Sequence, residues 1–79
     1  MIELKDVLPF FAALEPPPDL ARFDPVATFQ VNGIDSLDLM TVYLAIEEHF
    51  GVKLTDPELE RIHSVADIVK ALQRKLDGQ

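Results

Sequence analysis

The stretch from Asp35 to Gly51 constrains this chain more than any other. Asp35 is a favourable N-cap, and Asp38 lies three residues on, near the positive end of a helix dipole. Gly51 suits the left-handed position that commonly ends a helix. The spacing between them predicts one helix running to about Phe50, and that helix has two apolar faces. Leu39, Val42, Tyr43, Ile46 and Phe50 make one stripe at i, i+3, i+4, i+7 and i+11. Tyr43 and Phe50 read there as packing residues. Leu37, Met40 and Leu44 make the second stripe, bordered by Asp38, Thr41, Glu47 and Glu48. A small bundle can turn only one stripe fully inward. The other is a candidate partner surface, apolar with an acidic rim.

The remaining segments predict shorter or less regular elements. Glu15-Pro16-Pro17-Pro18-Asp19 cannot lie inside a helix, because each proline fixes φ and removes a donor. Before it, Leu4, Val7, Leu8, Phe11 and Leu14 share a helical face. Pro9 is easiest to accommodate if this helix starts with Asp6 as N-cap, which puts the proline in the first turn. A start nearer Ile2 would place it in the interior. Residues 19–34 read as a long connection, tacked to the core by Leu20, Phe23, Val26 and Phe29, with a turn at Asp24-Pro25. Thr55-Asp56-Pro57-Glu58 reads as a capping box opening a short third helix, with Leu59 and Ile62 inward. Ser64 caps a last helix whose stripe is Val65, Ile68, Val69, Leu72 and Leu76. The expected fold is all-α, a small four-helix bundle of three main helices plus one short one, forming a single domain over residues 1–79.

Charge and composition exclude several functions. The formal charge is −7, from 14 acids against 7 bases. Nearly all of the excess lies in residues 35–60, where Asp35, Asp38, Glu47, Glu48, Asp56, Glu58 and Glu60 face only Lys53. Nucleic acid and anionic membranes need a basic patch, so neither is expected as a partner. Partners with basic surfaces are favoured. There is no cysteine, hence no thiolate metal site and no thiol nucleophile in the chain itself. Met1-Ile2-Glu3-Leu4-Lys5-Asp6 does not resemble a signal peptide, and no run approaches the roughly 18 apolar residues of a membrane span. A cytoplasmic protein is the expectation.

Ser36 is the sharpest chemical candidate. It follows Gly33-Ile34-Asp35 and occupies the first helical position, where it is not needed as a cap because Asp35 is one. On spacing alone an exposed first-turn serine and a functional hydroxyl are equally good readings. A phosphate ester there would meet free backbone N–H groups and the helix dipole. Asp35 and Asp38 oppose it by charge, but they would suit a divalent cation while a modifying enzyme acts.

Gly33-Ile34-Asp35-Ser36-Leu37-Asp38 resembles the prosthetic-group attachment motif of acyl carrier proteins. The similarity continues through Leu44-Ala45-Ile46-Glu47-Glu48-His49-Phe50-Gly51-Val52, Leu54, Pro57 and Ile62-His63-Ser64-Val65-Ala66-Asp67, covering roughly residues 28–72. The resemblance implies a four-helix bundle with no catalytic residues or resident metal of its own. It implies 4′-phosphopantetheine attached to Ser36 by a phosphopantetheinyl transferase, with Asp35 and Leu37 as immediate neighbours of the site. The arm's terminal thiol would carry acyl groups as thioesters, so a cysteine-free chain would import its working sulfur. The resemblance also implies docking of Asp38, Met40, Thr41, Leu44, Glu47 and Glu48 against basic patches on acyl-transferring or acyl-activating enzymes, by a monomeric carrier.

Thr41 departs from the further acid that many fatty-acid carriers have there, and the proline-rich, Phe-rich N-terminal part is not the usual first helix and loop. These departures favour a specialised fatty-acid, polyketide or other secondary-metabolite pathway. An aminoacyl or peptidyl carrier, and a helical interaction module without the arm, are the alternatives. Peptidyl carriers more often have Gly-Gly in the two positions before the Asp or His, which Gly33-Ile34-Asp35 does not match.

Other chemistries fit poorly. The order Gly33, Asp35, Ser36, Leu37 is superficially similar to GDSL esterases, which need a histidine base beside the serine. His49 is 13 residues along the same helix, about 20 Å away at 1.5 Å per residue. His63 is expected in a loop. Adjacent Glu47, Glu48 and His49 point in different directions on a helix and do not converge on a metal. Met40 reads equally as a lining residue for a bound chain and as a partner contact. The concentrated negative charge predicts that Mg²⁺ or Ca²⁺ raises the melting temperature beyond the effect of matched monovalent salt. Coincident melting curves in the two salts would refute this.

Overall fold

The computed structural model describes residues 1–78. Four α-helices follow one another: α1 (Leu4–Ala12), α2 (Ser36–Phe50), α3 (Asp56–Glu60) and α4 (Val65–Leu76). A single 3-10 turn at Leu20–Arg22 interrupts the long connection between α1 and α2. No strand occurs among the described residues. The all-α bundle of three main helices and one short one is therefore present as expected.

The core lies where α1 packs on α2 and α4. Its fully buried side chains are Val7 and Phe11 from α1, Val42 and Ile46 from α2, and Val65, Ile68 and Leu72 from α4. Tyr43 is buried beside them, and loss of water pushes its hydroxyl up to about 12, with the Asp67 carboxylate adding to the shift. The inner stripe of α2 is completed by the half-buried Leu39 and Phe50.

The helix ends largely follow their capping chemistry. Asp35 Oδ1 accepts from the Asp38 N–H at 2.9 Å, and Gly51 closes α2 at φ 67°, a left-handed conformation that glycine adopts without steric cost. Thr55 and Glu58 form the reciprocal box at α3, and Ser64 accepts from the Asp67 N–H at α4.

The start of α1 differs from the expectation. Glu3, not Asp6, is the N-cap, and Asp6 is the third helical residue, its carboxylate accepting from the Glu3 N–H at 2.8 Å. Asp serves either position of a capping box, so the pattern admits two registers. Starting one turn earlier brings Leu4 into the helical face with Val7 and Phe11. The consequence is that Pro9 lies inside the helix, so the Lys5 carbonyl lacks its i+4 donor.

Three further side chains are not where periodicity put them. Leu20 and Val26 were expected on the core but are exposed, as is Leu76 at the end of α4. The α1–α2 connection is held by other means. Phe23 and Phe29 close over Phe11, with ring centroids 5.6 Å and 6.3 Å away. The Asn32 side chain bridges the loop, accepting from the Asp24 N–H at 2.9 Å and donating to the Asp24 carbonyl at 2.8 Å.

Between α2 and α3, Glu47 Oε2 accepts from the Leu54 N–H at 2.7 Å. Between α3 and α4, Lys75 Nζ lies 2.7 Å from Glu58 Oε1. That contact, with the Thr55 N–H and hydroxyl also bonded to Glu58, lowers its carboxyl to about 2 from the usual 4.5.

Two outcomes follow from these placements. Pro9→Ala restores a helical hydrogen bond and should raise stability in urea denaturation by on the order of 1–3 kcal/mol; a neutral result would place the proline in the first turn. Because the unfolded chain protonates Glu58 at higher pH than the folded one, its stabilisation is complete above about 4.5 and is lost as pH falls through about 2. Glu58→Gln should therefore flatten the fall of stability across that window in denaturation series at successive pH.

Candidate functional site

Ser36 is the first residue of α2 and is exposed. The path to it is well fixed. Ile34 is buried, and its N–H donates to the Phe29 carbonyl at 2.9 Å, pinning the chain two residues before the serine. Gly33 has φ 77° with open space where a Cβ would stand, so its conformation and not a close contact calls for glycine. Asp35 then binds the Asp38 N–H with its side chain and the Leu39 N–H with its carbonyl, the latter at 3.0 Å.

That leaves two donors unused. Among the described residues, no acceptor meets the N–H of Ser36 or Leu37, and no group bonds Ser36 Oγ. The positive end of α2 is thus presented beside a free hydroxyl.

An open cleft of about 650 Å³ adjoins Ser36. Phe29, Ile34, Leu39 and Ile62 line it with apolar surface, and Asp35 and His63 add polar groups. Sequence spacing did not bring His63 here. Its backbone does so in the fold: the His63 N–H donates to Asp67 Oδ2 at 2.9 Å, and its carbonyl accepts from the Phe29 N–H at 3.1 Å. No hydrogen bond joins His63 to Ser36, so the nucleophile–base pair of a serine hydrolase is not assembled. His49 stands at the far end of α2, edge-on to Phe10 and Phe50 at 5.5 Å and 4.8 Å.

The outer stripe of α2 faces solvent. Leu37 is 79% exposed, Met40 53% and Leu44 61%. Such contiguous apolar exposure on one helix face exceeds the scattered single residues of an ordinary surface. Around it, Asp38 is half-buried and Glu48 is exposed. Thr41 turns its hydroxyl back to the Leu37 carbonyl at 3.2 Å. Glu47 is half-buried and committed to Leu54, which makes it a strut as well as a rim charge. No three His, Asp or Glu side chains converge as metal ligands among the described residues.

Comparison with known proteins agrees with this geometry. Residues 13–72 match the family model described as a phosphopantetheine attachment site. The acyl carrier protein of Helicobacter pylori (strain G27) is 41% identical over 56 residues, covering 70% of this chain and 72% of that protein. The acyl carrier protein of Thermotoga maritima is 48% identical over 44 residues, 56% of this chain and 54% of that one. A mitochondrial acyl carrier protein of Dictyostelium discoideum is 38% identical over 50 residues, 63% of this chain and 42% of its own length. The chain belongs to the acyl carrier protein family: it is a carrier with covalently attached phosphopantetheine, not an enzyme.

Proposed function

We propose that Ser36 is the attachment point and that the carrier works in a specialised fatty-acid, polyketide or other secondary-metabolite pathway. The single observation behind the first part is the unpartnered Ser36 hydroxyl beside the two free N–H groups that open α2. A phosphodiester fits this position, since its oxygens can take those donors and its charge is favoured by the dipole. The adjoining cleft offers an extended arm an apolar-sided path. Transfer from coenzyme A forms the Ser36 Oγ–phosphorus bond, breaks the pyrophosphate linkage and releases adenosine 3′,5′-bisphosphate, while the hydroxyl proton leaves with the transferase's base. The arm supplies the thiol that a cysteine-free chain lacks.

Recognition is proposed to run through α2. Leu37, Met40 and Leu44 would fill apolar depressions on a partner, while Asp35, Asp38 and Glu48 meet its basic groups, together with the uncommitted oxygen of Glu47. Thr41, neutral and bonded to its own helix, weakens the acidic rim in the middle. That feature, with the phenylalanines around α1, supports the specialised pathway. Family membership brings a phosphopantetheinyl transferase and acyl-handling enzymes as partners. A monomeric, single-domain, cytoplasmic protein is the accompanying proposal; the single core supports the one domain, and no helix among the described residues is long and apolar enough to cross a membrane.

Co-expression with a phosphopantetheinyl transferase and intact mass measurement tests the attachment point. The wild type should gain one phosphopantetheine and Ser36→Ala none; no gain on the wild type, under conditions that modify a known carrier, refutes it. In the same assay Asp35→Asn, which keeps a capping side chain but loses the charge, should load more slowly if Asp35 helps hold the transferase's cation.

A further inference from the structure

We infer that His63 is the charge partner of the phosphate on Ser36, a positioning residue that holds the first atoms of the arm across the cleft. This rests on Ser36 as the attachment point. It concerns a residue that neither motif spacing nor helical periodicity connects to the serine.

The cleft brings the two together. Of the residues that line it, His63 is the one that can carry positive charge. Its backbone is fixed from both sides, by Asp67 on α4 and by Phe29 in the long connection. The imidazole itself is exposed and makes no hydrogen bond among the described residues, so it is free to meet a group arriving in the cleft. The surrounding charges are few. Asp35 shares the cleft, Asp67 sits behind the His63 backbone, and Arg61 lines a separate groove of about 250 Å³ with Lys70 and Arg74.

The electrostatic need is specific. A phosphodiester on Ser36 places a full negative charge next to Asp35 and Asp38, in the most acidic part of the chain. The N–H groups of Ser36 and Leu37 approach it from the helix side. On the cleft side the protonated His63 ring is the available counter-charge. Imidazoles change charge near neutral pH, whereas a phosphodiester stays anionic throughout that range. The contact therefore forms on the acid side and loosens on the alkaline side. In the unmodified chain the same ring has no phosphate to meet.

Phosphorus-31 NMR of the loaded carrier, with loading verified by intact mass, reads this directly. The phosphodiester does not itself titrate between about pH 5 and 8, so any inflection there reports a neighbour. The wild type should show one inflection. His63→Gln should give a flat trace, and His63→Lys a flat trace near the acid limit of the wild type, while His49→Gln keeps the inflection. A loaded wild type with no inflection, or an inflection that survives in His63→Gln, overturns the inference and leaves Ser36 standing. Absence of the mass increment on the wild type overturns the attachment reading and this inference with it.

Discussion

The backbone of Phe29 holds the two halves of this molecule in register. Its N–H bonds the His63 carbonyl just before α4, its carbonyl accepts from Ile34 just before α2, and its ring is buried against Phe11 of α1. One residue in an irregular connection thus touches all three main helices or their entries. These bonds, with Phe23 packed on Phe11 and the Asn32 bridge to Asp24, oppose the conformational entropy of a connection whose Leu20, Val26 and Val31 lie in solvent. The position of Ser36 depends on the same knot, because Ile34 is anchored by it and the N-cap follows one residue later.

Around that anchor, α2 divides its surface. Val42, Tyr43 and Ile46 supply the core, and Leu37, Met40 and Leu44 are withheld from it. Full burial of such a side chain stabilises by roughly 1.5–3 kcal/mol, and the withheld residues forgo the part of it that matches their remaining exposure. The core compensates with α1 and α4, both of which pack against each other as well as serving the bundle. Glu47 shows how closely the two demands are interleaved: an acid on the rim of the outer face also closes the turn into α3.

Most of this architecture was legible in the residues. Asp35, Thr55 and Ser64 each predicted a helix start through short-range hydrogen bonds, and Gly51 a stop through its backbone freedom. Such signals are local, so they survive without knowledge of the fold. The first helix was misplaced by three residues because Asp6 satisfies either end of a capping box, and Glu3 is a less usual cap. Leu20, Val26 and Leu76 were assigned inward by spacing alone, which cannot tell an apolar stripe that finds a neighbour from one that overruns it. The cleft beside Ser36 was not legible at all. It exists because His63 and Phe29, 34 positions apart, share one hydrogen bond, and no periodicity within either segment encodes that meeting.

The aromatic cluster at the far end of α2 gives the helix two unlike ends. There Phe10 of α1 meets His49 and Phe50, while the end bearing Ser36 lies beside the long connection and the segment that enters α4. The 15 residues of α2 separate these environments by about 20 Å. The family match, residues 13–72, begins just after α1. Through Phe10, α1 reaches the end remote from the serine, and through Phe11 it also braces Phe29 and so the anchor of the serine end. One short helix thus serves as a clamp with two jaws, and reshaping it is felt at both ends of α2.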